Sequence, residues 1–263
     1  MSMTVAERIN AERFVLAGWS RAILMQLAHP LVAQGVADHS TFRGGLFTAA
    51  VRLHHTVAAM RRLTFGPAEA SRRALAGILA IHTRVHGTLQ EPVGRYPAGA
   101  PYSAEDPALV LWVHATLLDS LPLIYGHVIE PLPPAALDAW CLESAPVAVA
   151  LGARADDVPV TWAALQAHLV DMRASGALVV GATARELAGD VLAPRLSSLI
   201  APARWVNRTV TIGLLPADLR TQYGFGWGPA EDRSLARALS ALRRLRRVTP
   251  DLIAQWSDAR VAT

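Results

Sequence analysis

The histidines are the residues of this chain best placed to do chemistry. There are nine, and eight of them (His29, His39, His54, His55, His82, His86, His114 and His127) precede residue 128, leaving only His168 beyond. Most sit in apolar stretches, where an imidazole is not needed for solubility and is costly to bury. For any one of them, a core imidazole hydrogen-bonded to a neighbour is a sufficient account. Several on neighbouring helices point instead to a metal or cofactor site. His82 and His86 stand four apart, which on a helix puts both on one face. That is the spacing of two ligands to one zinc or non-haem iron.

The carboxylates argue against such a centre. His82-Thr83-Arg84-Val85-His86 lacks the adjacent Glu of a zinc-protease helix. From just past Asp106 to Pro131 the chain offers only Asp119 and Glu130, and the paired Glu-x-x-His elements of a di-iron bundle do not occur. One His on an apolar helix, a second across from it and Arg for the propionates is what a b-type haem pocket asks for. Cys141 is alone, which excludes internal disulfides and a thiolate cluster. No Lys exists for a phosphate-binding loop, and no Gly-x-Ser-x-Gly elbow occurs. Gly224-Phe225-Gly226-Trp227-Gly228 has no strand before it, so it reads as an aromatic turn.

The elements that must position these residues are helical. Apolar spacing of three and four runs through Val15–Gln34, interrupted at His29-Pro30, and through Gly45–Leu63. Gly66-Pro67 breaks the chain and opens a helix expected to reach about His86. Gly87–Ser103, rich in Gly and Pro, reads as a long loop. Ser103-Ala104-Glu105-Asp106 resembles a capping box for a helix ending near Ile129, before Pro131, Pro133 and Pro134. Further helices are expected over Pro134–Ala150, Thr161–Ser175, Thr183–Val191 and Pro229–Arg247. Leu178–Gly181 and Val206–Ile212 carry the only β-branched runs, both short. The expectation is one all-α globular domain spanning residues 1–263, without repeats or linkers.

Composition agrees with a packed globule. The 263 residues are 52% hydrophobic and 17% charged, which excludes disorder and supports a large core. No uninterrupted apolar run reaches the roughly 18–20 residues of a membrane span, although contact with a membrane surface stays open. All 25 basic residues are Arg, yet the net charge is only +4. Such a balance lacks the dense stripe of a nucleic-acid binder. The Arg243–Arg247 cluster could touch anionic lipid or nucleic acid, but a solvated helix face is the favoured account. The first residues lack the basic-then-apolar order of a secretion signal, so a cytoplasmic location is expected.

Five motifs in order carry a family resemblance: Leu27-Ala28-His29-Pro30, Asp38-His39-Ser40-x-Phe42-Arg43, Ile81-His82-x-x-Val85-x-Gly87, Tyr102-Ser103-Ala104-x-Asp106-Pro107 and Trp112-Val113-His114-Ala115-Thr116. The series resembles the family of the latex-clearing protein (rubber oxygenase) and of the oxygenase of fungal mycophenolic acid biosynthesis. Leu214-Leu215-Pro216 and Pro229–Arg247 resemble its C-terminal part. The resemblance implies an all-α, globin-like fold that binds haem b and uses dioxygen. It places His82 at the proximal iron ligand, and Arg52 and Thr56 at an Arg and a Thr that line the haem.

Between that pair the rubber oxygenases carry a Lys, whereas this chain has His55. Imidazole is a far better iron ligand than an ammonium, so His82 and His55 are expected to ligate the iron at rest, with His55 released in turnover. His86 departs from the family's usual Arg, and is expected as a propionate partner or a donor behind the ligand. His114 is expected to line the haem or donate to its proximal side, and helix packing is the rival account for both His114 and His29. Asp38 is the nearest counterpart of the rubber branch's carboxylate base. The implied function is a haem b-dependent oxidoreductase, oxygenase-like, acting with dioxygen on a small apolar substrate; a haem-binding gas or redox sensor without turnover shares every pocket residue. Polymer cleavage is not expected.

Overall fold

A computed structural model describes residues 3–39, 46–192 and 201–261. Its centre is α6 (Pro107–Val128), buried on almost every side. Asp106 starts this helix, accepting from the Ala108 N–H at 2.8 Å, and Pro107 occupies the first turn, where no N–H is needed. The cap is therefore Asp106 and not Ser103, whose hydroxyl instead accepts from the Glu105 N–H. By length and composition α6 could cross a membrane, but 72% of its apolar window is buried inside the protein, so it serves as the core helix.

Around α6 pack α1 (Val5–Ala11), the 3-10 segment Arg13–Gly18, α2 (Trp19–Leu27), α7 (Pro134–Ala150), α8 (Trp162–Ala174) and α12 (Pro229–Val248). The main core joins Ile9, Leu24, Met25, Trp112, Leu118, Trp140 and Leu165 from these helices. Thr4 and Glu7 form a reciprocal capping box on α1. Pro30 opens α3 (Pro30–His39), which packs on α9 (Ala182–Leu192). Residues 206–212 belong to α10 (Ala201–Leu214), and 178–181 are irregular, so neither β-branched run is a strand. Short helices α11 (Ala217–Gln222), α13 (Asp251–Ala254) and α14 (Ser257–Val261) complete the order.

Two buried polar arrangements tie the layers. Arg21 of α2 pairs with Asp119 of α6 at 2.7 Å and donates to the Ser120 hydroxyl and the Leu214 carbonyl, both at 2.6 Å. Gln166 of α8 donates to the other Asp119 oxygen at 2.9 Å, so each guanidinium nitrogen and both carboxylate oxygens have a partner, as a buried pair needs. Arg246 of α12 forks onto both oxygens of Glu12, at 2.6 and 2.8 Å, and Gln255 donates to the same carboxylate.

The segment expected as a long loop contains a small antiparallel sheet, β1 (His86–Thr88) with β2 (Pro101–Ser103), in the register His86↔Ser103 and Gly87↔Tyr102. The reason lies in a ring and a missing side chain. Tyr102 lies across Gly87, where a Cβ would come within 2.5 Å of the phenol oxygen. The same ring touches Gly35 of α3, so the sheet docks on that helix.

Candidate functional site

Two helices carry the expected iron ligands. α4 (Leu46–Phe65) and α5 (Ala68–His82) are joined by Gly66-Pro67 and pack on one another. The turn requires its glycine, because a Cβ on Gly66 would collide with the Arg62 carbonyl. That carbonyl also accepts from the Gly66 N–H and the Ser71 hydroxyl. If the two helices ran antiparallel, a rise of about 1.5 Å per residue would bring positions 52–56 within about one turn of the level of Ile78–His82. His55 and Thr56 are exposed on α4. Arg52 belongs to the same helix, its side chain outside the described ones.

α5 has no buried side chain. Its substantial packing among the described residues is on α4 alone. Leu75 and Ile78 are half-buried, whereas Leu79 and Ile81 are exposed, and a Cβ on Gly77 would meet open space. An apolar helix usually turns such a face to the core. Among the described residues, this face carrying Ile, Leu and Ala is only partly covered.

His82 is the last residue of α5. Its imidazole is half-buried, its Nδ1 is buried without a hydrogen-bond partner, and burial lowers its pKa, with the Glu105 charge opposing. The ring is thus neutral at ordinary pH, the state a metal ligand needs. The expectation that His82 and His86 share a helix face is corrected. The chain turns at Thr83–Val85, with the Val85 N–H donating to the His82 carbonyl at 3.0 Å, and His86 begins β1. The exposed His86 ring sits against the Thr83 carbonyl at 3.2 Å. The helix stops early because Val85 is drawn into a separate apolar cluster with Leu31, Leu89, Tyr102 and Leu109.

A directed polar chain fixes the segment that follows His82. Gln34 donates to one oxygen of Asp38 at 2.8 Å, and the Tyr102 hydroxyl donates to the other at 2.6 Å. His39 Nε2 lies 3.0 Å from the His86 carbonyl and 3.1 Å from the Tyr102 oxygen. Since a carbonyl only accepts, Nε2 carries the proton. Burial and Asp38 push the Tyr102 phenol up from its ordinary pKa. Asp38, the expected carboxylate counterpart, is therefore engaged in holding the sheet to α3. Sequence reading placed Asp38, His39 and Tyr102 in motifs without linking them. The presence of Asp38 and His39 in one motif and Tyr102 in another is the available signal.

His114 and His29 lie elsewhere. His114 belongs to α6, which among the described residues has no substantial packing on α4 or α5. Its Nε2 is buried without a partner and burial lowers its pKa to about 4. His29, between α2 and α3, is buried and meets the Tyr96 hydroxyl at 3.0 Å through Nε2. Burial, with Arg95, lowers its pKa to about 4. The packing account of His29 thus has its hydrogen bond.

Among the described residues, no group of three His, Cys, Asp or Glu side chains stands close enough to hold a metal ion. A site built from protein ligands alone needs three or four. Iron in a porphyrin brings four nitrogens of its own and asks the protein for one or two axial ligands. A lone neutral imidazole at the end of an uncovered apolar helix fits that demand.

The comparisons with known proteins bear on the same point. The family model described as "ER-bound oxygenase mpaB/B'/Rubber oxygenase, catalytic domain" matches residues 6–246. The chain therefore belongs to the mpaB/rubber oxygenase family, and its domain is of the oxygenase type. Its curated relatives include the uncharacterized proteins Mb2261 of Mycobacterium bovis and Rv2237 of Mycobacterium tuberculosis. Each is 27% identical over 237 residues, covering 87% of this chain and 87% of the relative. No solved structure matches.

Proposed function

We propose that the protein is a haem b-dependent oxidoreductase that uses dioxygen or peroxide against a small apolar substrate. The observation that carries this reading is the imidazole of His82, whose Nδ1 is buried without a hydrogen-bond partner at the end of α5, in a chain of the oxygenase family. When bound, the haem supplies the redox chemistry with the oxidant. The chain's own residues do the rest. His82 would hold the iron through an imidazole nitrogen, and α4, which packs on α5, carries positions 52–56. Arg52 is assigned to a propionate and Thr56 to the haem edge. His55, where the rubber oxygenases have Lys, would be a second iron ligand. The exposed apolar residues Leu79 and Ile81 of α5 would help to keep water from the bound group. His86 and His114 are not assigned to the iron.

The test is absorbance spectroscopy of protein produced in haem-supplemented cells. Wild type is expected to retain stoichiometric haem with a low-spin spectrum that added imidazole does not sharpen. His82→Ala is expected to lose haem. His55→Ala is expected to keep it and shift to high spin. A colourless wild type would overturn the cofactor reading, and stoichiometric haem in His82→Ala would overturn the ligand assignment. Steady oxygen consumption with a substrate separates turnover from haem binding alone.

A further inference from the structure

The last long helix has two unlike faces. Between residues 233 and 248 the chain carries six Arg and no Asp or Glu. Two of the six are used internally: Arg246 on Glu12 and Asp251, and Arg243 on the His127 carbonyl at 2.9 Å. The other side of the helix packs Leu235, Ala238, Leu239 and Leu242 against α6 and α10. At 100° per residue, Arg233, Arg237, Arg244 and Arg247 fall on the opposite side, and all four are exposed. They form a stripe about 21 Å long.

The stripe ends in aliphatic side chains turned to solvent. Leu245 is 54% exposed, Val248 76%, Leu252 70% and Ile253 59%. Helix-end arginines alone would be explained by the macrodipole, but that does not account for three turns of outward Arg or for the uncovered aliphatic tip. The only acid within the tip, Asp251, is paired with Arg246.

We propose that this face of α12, together with α13, docks on an anionic phospholipid membrane. Arginines meet the headgroup phosphates bidentately, and Val248, Leu252 and Ile253 enter the headgroup–acyl boundary, as an interfacial helix does. The tip decides between anionic partners. A nucleic acid rewards aromatic side chains and polar base contacts, and the exposed tip is aliphatic. The proposal stands independently of the haem reading.

The test is co-sedimentation of the full chain with vesicles of phosphatidylcholine alone or mixed with phosphatidylglycerol. Capture is expected only on the mixed vesicles and is expected to fall as salt is raised. Arg244→Glu with Arg247→Glu should weaken it by at least about fivefold per arginine. Leu252→Ser with Ile253→Ser should weaken it as well, and both positions are exposed, so circular dichroism should stay unchanged. Three results would each overturn the proposal: equal capture on phosphatidylcholine alone, capture indifferent to these substitutions, or no capture at all. Tight binding of a short nucleic-acid duplex that Arg244→Glu abolishes would assign the face to nucleic acid instead. A dimer in sedimentation velocity that Leu252→Ser dissolves would assign it to a second copy of this chain.

Discussion

Trp140 makes good the hydrogen bond that Pro122 withholds. Pro122 lies inside α6 and has no N–H for the carbonyl four residues earlier, that of Leu118. The indole N–H of Trp140, on α7, donates to that carbonyl at 2.9 Å in the buried core. A proline in a core helix is thereby tolerated, and α7 is fixed in register against α6.

The first prediction follows. Trp140→Phe keeps an aromatic body but orphans a buried carbonyl, and should cost about 1–3 kcal/mol. In a Pro122→Ala background the new Ala N–H can take that carbonyl, so the same Trp140→Phe change should cost less. Urea unfolding of the double-mutant cycle measures the difference. Additive costs would show that the indole bond is incidental.

Arg21 and Asp119 set the second. Removing one partner leaves a charge buried among apolar neighbours, so Arg21→Met should destabilise by about 3–5 kcal/mol. Arg21→Met combined with Asp119→Leu should recover a large part of that loss. A double variant less stable than the single would contradict this.

The third concerns pH. His29 and His114 are held near pKa 4, against an ordinary value of 6.5. Between those values the unfolded chain binds more protons than the folded one, so stability rises with pH. It should be fully present above about pH 6.5 and fall as the pH drops towards 4, by roughly 2–3 kcal/mol for each group. His114→Leu, compared as haem-free protein, should flatten this slope over pH 4–6.5. An unchanged slope would mean that His114 is not the buried neutral group described.

Tyr102 gives the fourth. Tyr102→Phe removes the donor to Asp38 but keeps the ring over Gly87, and should cost about 1–2 kcal/mol in chemical denaturation. Gly87→Ala forces a Cβ into the phenol and should cost more than Tyr102→Phe. Equal or negligible costs would mean that the sheet is not held through this ring.

Helix positions were legible wherever a Pro or Gly punctuates a strong apolar period. α7 matches its expected bounds, α4, α8, α9 and α12 lie within a residue or two, and α6 ends within one residue but begins at Pro107, past the expected Ser103 cap. Three things escaped. α5 ends at His82 because Val85 has a tertiary home, which periodicity cannot report. β1 and β2 are three residues each and depend on one ring packing over one glycine. α1 and α10 carry mixed patterns that only their neighbours resolve. At the candidate site, the ordered motifs and the family resemblance they carry pointed to His82, Arg52, His55 and Thr56. The separation of His86 and His114 from that pair is a matter of three-dimensional packing.

The thin support of α5 has a consequence for how the chain behaves in time. A helix whose substantial packing among the described residues is on one neighbour, and which has no fully buried side chain, can detach without disturbing the α6 core. Its amides should then exchange with solvent deuterium far faster than those of α6, at a rate set by local fraying and not by global unfolding. Whatever lies along Leu75–Ile81 acts as a missing wall, so the tightness of this helix becomes a direct gauge of whether that wall is in place.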